Sequence, residues 1–292
     1  MAITSYESYI DVFSPNVITL AEQEYSAIKQ IPMRKETVEG RAKFIDRVGG
    51  GVMTQRTSYL EPKDYQQVNR SRIKLETIIG DRNAPITSQD IKRALTNPQS
   101  IETQAMARAY ASFYDDLFLS KIVADVTLED GSALTFADDG GETILNGGTG
   151  LTKAKLDAVN VNFLENEILQ PGINKYLILS PFALNSLLDD DEIKNKDYIT
   201  SAQSAIYANG GSGDLFGFNV IVKNNLPKAG DIRDCYVLTD KAMVEGTTTP
   251  FSITMSEIAN TKGNPISVDS EVCQGFVRTE GKHAQLVQID ES

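Results

Sequence analysis

Several patterns in this sequence have the residue types for chemistry, and each can be tested against what that chemistry needs. The stretch NGGSGDLFGFNVIVKNNLP, residues 209 to 227, gathers Gly210, Gly211, Gly213 and Gly217, as a phosphate-cradling loop would. Such a loop points its amides and the N-terminus of a following helix at the anion, and the P-loop form adds GK[ST]. Neither feature is present here. Phe218, Val220, Ile221 and Val222 follow instead, β-forming residues in an apolar run, so the glycines are expected to turn the chain into a strand. The single histidine, His283, falls in an expected strand without a Ser or Cys motif beside it, so acid–base or triad chemistry has one candidate and nothing to orient it. It reads as a structural or surface residue. The acidic run Asp189, Asp190, Asp191, Glu192 suggests a metal, but an EF-hand loop needs glycine at its sixth position and alternating ligands, and DDDEIKNKD breaks both rules. It reads as a solvated helix end, and Asp138 and Asp139 read the same way. Cys235 and Cys273 lie far apart without a CxxC or histidine partner, which fits small buried hydrophobes in a reducing compartment. No catalytic, cofactor-binding or metal-binding residue is therefore expected, and a nucleotide- or metal-dependent α/β enzyme is the alternative from another class.

The elements that would hold such residues are more telling. A chain of 292 residues with 41% hydrophobic residues is long and apolar enough for one large or two ordinary domains. It has no apolar run of bilayer length and no signal-peptide layout at MAITSYESYI, so no membrane partner is expected. The net charge is -12, which argues against general nucleic-acid binding, yet Arg34 to Leu75 alone carries +5, leaving -17 on the remainder. A basic module on an acidic body is what docking onto another copy would require.

Along the chain, residues 1 to 32 read as an arm with apolar anchors Tyr6, Tyr9, Ile10, Val12 and Phe13, then Val17, Leu20, Tyr25 and Ile28 at helix-like intervals. Residues 34 to 48 alternate, with Val38, Ala42 and Phe44 on one side and Glu39, Arg41 and Lys43 on the other; residues 68 to 79 alternate through Arg70, Arg72 and Lys74. These are expected to be the legs of a long hairpin whose tip, GGGVMTQRTSYLEPKDYQQ, includes Arg56 and Lys63. ITSQDIKRAL predicts a short capped helix stopped by Asn97 and Pro98. A spine helix then starts at Ser100, its stripe formed by Ile101, Ala105, Ala109, Phe113, Leu117, Ile122 and Val123. Residues 126 to 150 predict short strands and turns. From 151 an α/β unit is expected: a helix in LTKAKLDAVNVNFLENEI, a buried strand in KYLILS, a helix opened by Pro181, and the strand FNVIV. The tail supplies CYVLTD, PFSITMS, EVCQGFVRTEG and HAQLVQID, the last alternating as a half-solvated strand does. Chain start and chain end are thus expected to share one β-rich region with the α/β unit inserted.

This order of parts resembles the major capsid proteins of tailed bacteriophages, with their Hong Kong 97 type fold. The patches KYLILSPFALNSLLDD and GDLFGFNVIVKNNLP are similar to the family's strand–helix step and its G-x-x-x-G strand, and ASFYDDLFL, with Asp115 and Asp116, is similar to the end of its spine helix. The resemblance implies an α+β capsid fold with residues 1–32 as N-terminal arm, 33–79 as extended β-hairpin loop, 80–150 with 246–292 as peripheral domain, and 151–245 as axial domain. It implies a non-enzymatic protein without cofactors whose copies form pentamers and hexamers of an icosahedral shell around double-stranded DNA, assembled in the bacterial cytoplasm. Arg41, Lys43, Arg56, Lys63, Arg70 and Arg72 would then meet a neighbouring subunit, Gly213, Gly217 and Phe218 would form an axial turn and strand, and Ile101, Ala105, Ala109, Phe113 and Leu117 the spine core. Further implied partners are a portal protein, a separate scaffolding protein and cement proteins; an opening directly at the arm implies separate scaffolding or none. Were subunits to crosslink, Lys63 would be the donor, though noncovalent assembly is expected. An encapsulin-like nanocompartment shell is the alternative with the same fold.

Overall fold

The computed structural model describes residues 25–51, 53–55, 57, 59, 65, 67–87, 98–189, 212–258 and 265–291. In chain order the elements are β1 Arg34–Thr37, β2 Ala42–Val48, β3 Arg70–Glu76, β4 Ile78–Ile86, α1 Pro98–Ile122, β5 Val126–Thr127, β6 Ala133–Leu134, β7 Glu142–Ile144, α2 Lys153–Glu165, β8 Lys175–Leu179, α3 Pro181–Leu188, β9 Ser212–Leu215, β10 Phe218–Val222, β11 Lys228–Ala229, β12 Ile232–Thr239, β13 Met243–Glu257, β14 Ile266–Arg278 and β15 Ala284–Asp290. The helix expected in ITSQDIKRAL lies outside the described residues apart from Ile86, which ends β4, and Thr87, which follows it, and the arm is described only from Tyr25.

A seven-stranded mixed sheet runs β7-β15-β12-β8-β10-β9, with β11 beside β12. At its centre β8 is an apolar run, and Tyr176, Leu177, Ile178 and Leu179 are all buried, as a strand covered on both faces demands. It passes directly into α3: Ser180 accepts a hydrogen bond from the Ala183 amide at 3.1 Å, Pro181 fills the first turn, and Ala183, Leu184, Leu187 and Leu188 turn into the core. The strand β10 returns parallel to β8, with Val220 opposite Leu177. Leu156, Val159 and Phe163 of α2 join the same cluster.

The expected assignment of the whole tail to a separate β-rich region is corrected by the pairing. The strand β15 lies between β7 and β12, parallel to the first and antiparallel to the second, so both belong to the sheet of the α/β unit. Interior placement also overturns the half-solvated reading of HAQLVQID: Ala284, Gln285, Leu286, Val287 and Ile289 are all buried. The alternation expected there occurs in β13 instead, where Thr247 to Phe251 alternate between half-buried and exposed positions.

The second sheet has four strands, β1-β13-β14-β4. The strand β1 pairs parallel to β13, Arg34 facing Val244, so residues 34 to 37 are not part of a hairpin leg. The leg begins at Ala42, after Gly40 turns the chain at φ 86°. A separate ribbon, β2 with β3, runs from Ala42 opposite Glu76 to Val48 opposite Arg70.

The helix α1 has 25 residues and spans about 37 Å. Met106, Tyr114, Phe118 and Ile122 are buried to within 2% and Leu117 to 8%, whereas Ile101, Ala105, Ala109 and Phe113 are half-buried. The helix is covered on more than one side, so no single stripe describes it: Tyr114 and Phe118 meet Phe276 of β14 edge-on at 5.0 and 5.4 Å, and Asp115 points into the α/β unit.

Candidate functional site

The ribbon is two-faced. Its inner face buries Ile45, Ile73 and Leu75 with Val38, Val126, Val244 and Val277. Its outer face carries Phe44, 47% exposed, and Val48, 65% exposed, opposite Lys74 and Arg70. The side expected to be apolar through Ala42 and Phe44 is thus the exposed one, and the opposite side, with Ile45, is buried. A strand's parity is set by what it docks on, and Ile73 is bridged to Leu128 while the Glu129 amide donates to the Arg72 carbonyl at 3.1 Å.

The ribbon's charges are largely matched within the chain. Lys43 Nζ donates to Glu36 Oε2 at 2.8 Å and to the Thr37 carbonyl at 3.1 Å, and with Arg34 it holds the Glu36 carboxyl below the usual carboxylate range. Arg72 bridges Asp46 at 2.6 Å and Glu129 at 2.9 Å. Lys74 pairs with Glu76 at 2.5 Å, and Arg47 turns inward onto Asp139. Among the described residues, Arg41 and Arg70 form no ion pair and remain on the surface. Arg56 and Lys63 lie outside the described residues. At the tip, Met53 is 100% and Tyr65 86% exposed.

A groove of about 490 Å³ lies between α1 and the four-stranded sheet, lined among others by Ile79, Met106, Ala109, Tyr110, Phe113 and Phe251. Tyr110 stacks on Phe251 with ring centres 4.3 Å apart and planes 5° apart. Gly80 lets the helix approach: a Cβ there would come within 2.8 Å of the Phe113 ring.

The glycine stretch is a tight turn. Phe216 at φ 53° and Gly217 at φ 75° are the central residues of a two-residue turn of the type I′ kind joining β9 to β10, with Leu215 opposite Phe218. Gly213 lies within β9 opposite Val220, and Phe218 is fully buried under Lys175 Nζ, 4.4 Å from its ring centre. Gly210 and Gly211 lie outside the described residues.

The buried polar groups are structural. Asp115, without exposure, accepts from Lys223 Nζ at 2.5 Å and from the Ser26 hydroxyl, tying arm root, spine helix and the end of β10 together. Asp139 is corrected from solvated to buried: it accepts from Arg47 and from Arg278 Nε. Arg278, fully buried, also donates to the Ile122 and Ala124 carbonyls at 2.7 and 2.9 Å, satisfying the C-terminal end of α1. The sequence signal for Asp115 and Arg278 was present, a carboxylate inside an apolar run and an arginine ending a buried strand, but the partners are distant in the chain. Glu291 gathers the Ser180 hydroxyl at 2.7 Å, Arg233 Nε at 2.7 Å and Lys228 Nζ at 3.3 Å.

His283 sits in a 3-10 turn rather than a strand, its Nδ1 at 2.8 Å from Thr239 Oγ1, and burial lowers its basicity. Burial pushes the Cys235 thiol up to about 12, so it is no nucleophile. Among the described residues no group of three or more His, Cys, Asp or Glu side chains is placed to hold a metal, and no helix is long and apolar enough to cross a membrane. Of the acidic run, Asp190 to Glu192 lie outside the described residues.

A family model described as phage capsid protein matches residues 6–287. No curated protein sequence matches the chain. Among solved structures it is similar to the capsid of Ralstonia phage GP4, with a TM-score of 0.73 at 12% identity, covering 100% of this chain and 98% of that one. A chain of Mycobacterium phage Che8 gives 0.71 at 11% identity, covering 97% and 98%. The cyanophage Pam1 capsid gives 0.69 at 9% identity, covering 99% and 98%.

Proposed function

Because the chain belongs to the phage capsid protein family and is a structural, major capsid protein of the virion with the Hong Kong 97 type α+β fold, we propose how its parts meet in the shell. Copies close into pentamers and hexamers through the axial unit, residues 151–245 together with β7 and β15, which share its sheet. Residues 1–32 serve as arm, the ribbon from Ala42 to Glu76 with its tip as extended loop, and α1 with the four-stranded sheet β1-β13-β14-β4 as peripheral unit. The ribbon of one copy lies on its neighbour with its tip over the groove beside α1. Arg41 and Arg70 meet the neighbour's acidic surface, while Lys43 and Arg72 stiffen the ribbon itself; Arg56 and Lys63 would add to the tip's contacts. Gly213, Gly217 and Phe218 hold the axial turn, and Ala109 and Phe113 serve the groove, with Leu117 in the spine core.

One observation carries this reading: the ribbon exposes Phe44, Val48, Met53 and Tyr65 while the same chain presents an apolar groove. A two-stranded ribbon buries too little to order itself and gains by lying on a partner. The shell encloses double-stranded DNA without gripping it, consistent with the chain's -12 charge, and purified subunits should bind duplex DNA weakly at physiological salt. A portal protein is a further partner, with assembly in the host cytoplasm. Sedimentation of the purified chain tests the reading: capsomer-sized or larger species are expected, and a monomer at every concentration would contradict it.

A further inference from the structure

The turn between β7 and α2 carries a cation in a main-chain cage. Lys155 Nζ lies 2.8 Å from the Asn146 carbonyl, 2.9 Å from Thr149, 2.9 Å from Gly150 and 3.2 Å from Gln288 of β15. Four carbonyls surround the ammonium, which has three protons to give; the Asn146 carbonyl also accepts from the Thr149 amide and hydroxyl, and the Thr149 carbonyl from the Asp290 amide, so the turn's own hydrogen bonds hold the ring in place. Gly147 and Gly148, at φ 57° and 65°, give the turn the left-handed conformation that brings these carbonyls round. Lys155 also stands in the first turn of α2, where the helix dipole disfavours a cation; that turn holds no acidic residue, and the Thr152 side chain makes no cap. The lysine is placed for the cage and against the helix.

We propose that these carbonyls form a binding site for a monovalent cation of the ammonium and potassium class, which the native chain fills with its own lysine. Ringed backbone carbonyls replace the hydration shell of potassium. Calcium is a poor match, since it favours carboxylate oxygens at about 2.3–2.6 Å, whereas the four contacts here are neutral carbonyls at 2.8 to 3.2 Å. The tethered ion pins the turn to β15 and to the start of α2, fixing the chain where it enters the α/β unit. This does not depend on how subunits assemble.

The test is K155A, which empties the cage while leaving its backbone. Melting is followed in equal-strength potassium, ammonium, sodium and choline chlorides, beside native protein and K155M. K155A should melt lowest in choline and recover in potassium and ammonium more than in sodium. Native protein should melt alike in all four, and K155M, whose methyl group fills the space, should be destabilised without recovery. Equal melting of K155A in every salt, or the same recovery in K155M or native protein, would overturn the proposal. Should K155A not fold in choline, refolding in each salt decides: folding in potassium or ammonium supports the site, and failure in all four refutes it.

Discussion

The strand β8 buries four of its five residues, while β2 buries one of seven. Both are regular strands with hydrogen-bonded partners, but their sources of stability differ. The sheet around β8 is packed by α2 and α3 and closed by its own ionic contacts at Asp115 and Glu291. The ribbon has a small core at its base and, toward the tip, apolar side chains in water. The difference separates what one subunit needs in order to fold from what it holds out to another.

Substitutions in the self-sufficient region should act on stability, and the largest effect is expected at the buried ion pair. Asp115→Asn removes the carboxylate that accepts from the Lys223 ammonium, 5% exposed, and should cost about 3–5 kcal/mol in urea unfolding. Adding Lys223→Met should restore more than half of it; a mild single variant would mean the pair is not a closed junction. Next comes Ser180→Ala, which removes the cap of α3 and a donor to Glu291, with an expected cost of about 0.5–2 kcal/mol.

A smaller effect is expected from pH. Burial, the largest single influence, raises the Glu291 carboxyl, but hydrogen bonds from Ser180, Arg233 and Lys228 together outweigh it and hold the group below its ordinary value of 4.5. A depressed carboxylate contributes stability that is full above the unfolded-state value and is lost as pH falls through the folded one. Melting temperature should therefore drop as the solution is acidified below the ordinary glutamate range, and Glu291→Gln should flatten that drop. An unchanged acid profile would show that this contact is not coupled to folding.

On stability the ribbon should respond least. Arg41→Glu with Arg70→Glu should leave melting nearly unchanged and weaken assembly, because neither is engaged in an ion pair within the described chain. Lys43→Glu with Arg72→Glu breaks contacts to Glu36, Asp46 and Glu129, so it should loosen the ribbon even in the isolated subunit, as hydrogen exchange would read. Indistinguishable pairs would erase the division between contact and bracing residues.

How far the sequence reveals this contrast depends on the range of the interactions involved. KYLILS followed by Ser180 and Pro181 is legible because an apolar run and a helix cap are local signals. The turn at Gly217 is legible for the same reason. Alternation locates β2 and β3 as strands, but Phe44 and Ile45 differ only in which side meets Val244 and Val277, residues from the other end of the chain. The strand β1 reads as a hairpin leg until its parallel partner β13 is known, and β15 reads as half-solvated until it lies inside a sheet. Charge counting overstates the ribbon's outward field for the same reason, since Arg47 is spent on the buried Asp139.

The claim that the ribbon serves the neighbour more than its own subunit is tested most directly at the tip. Met53→Ser with Tyr65→Ser alters side chains that are 100% and 86% exposed and belong to none of the three core clusters. Electron microscopy of this variant, with circular dichroism of the same sample, is the decisive measurement. Native helical content is expected with closed shells absent or misshapen, whereas normal shells, or a chain that fails to fold, would contradict the neighbour-serving role of the ribbon.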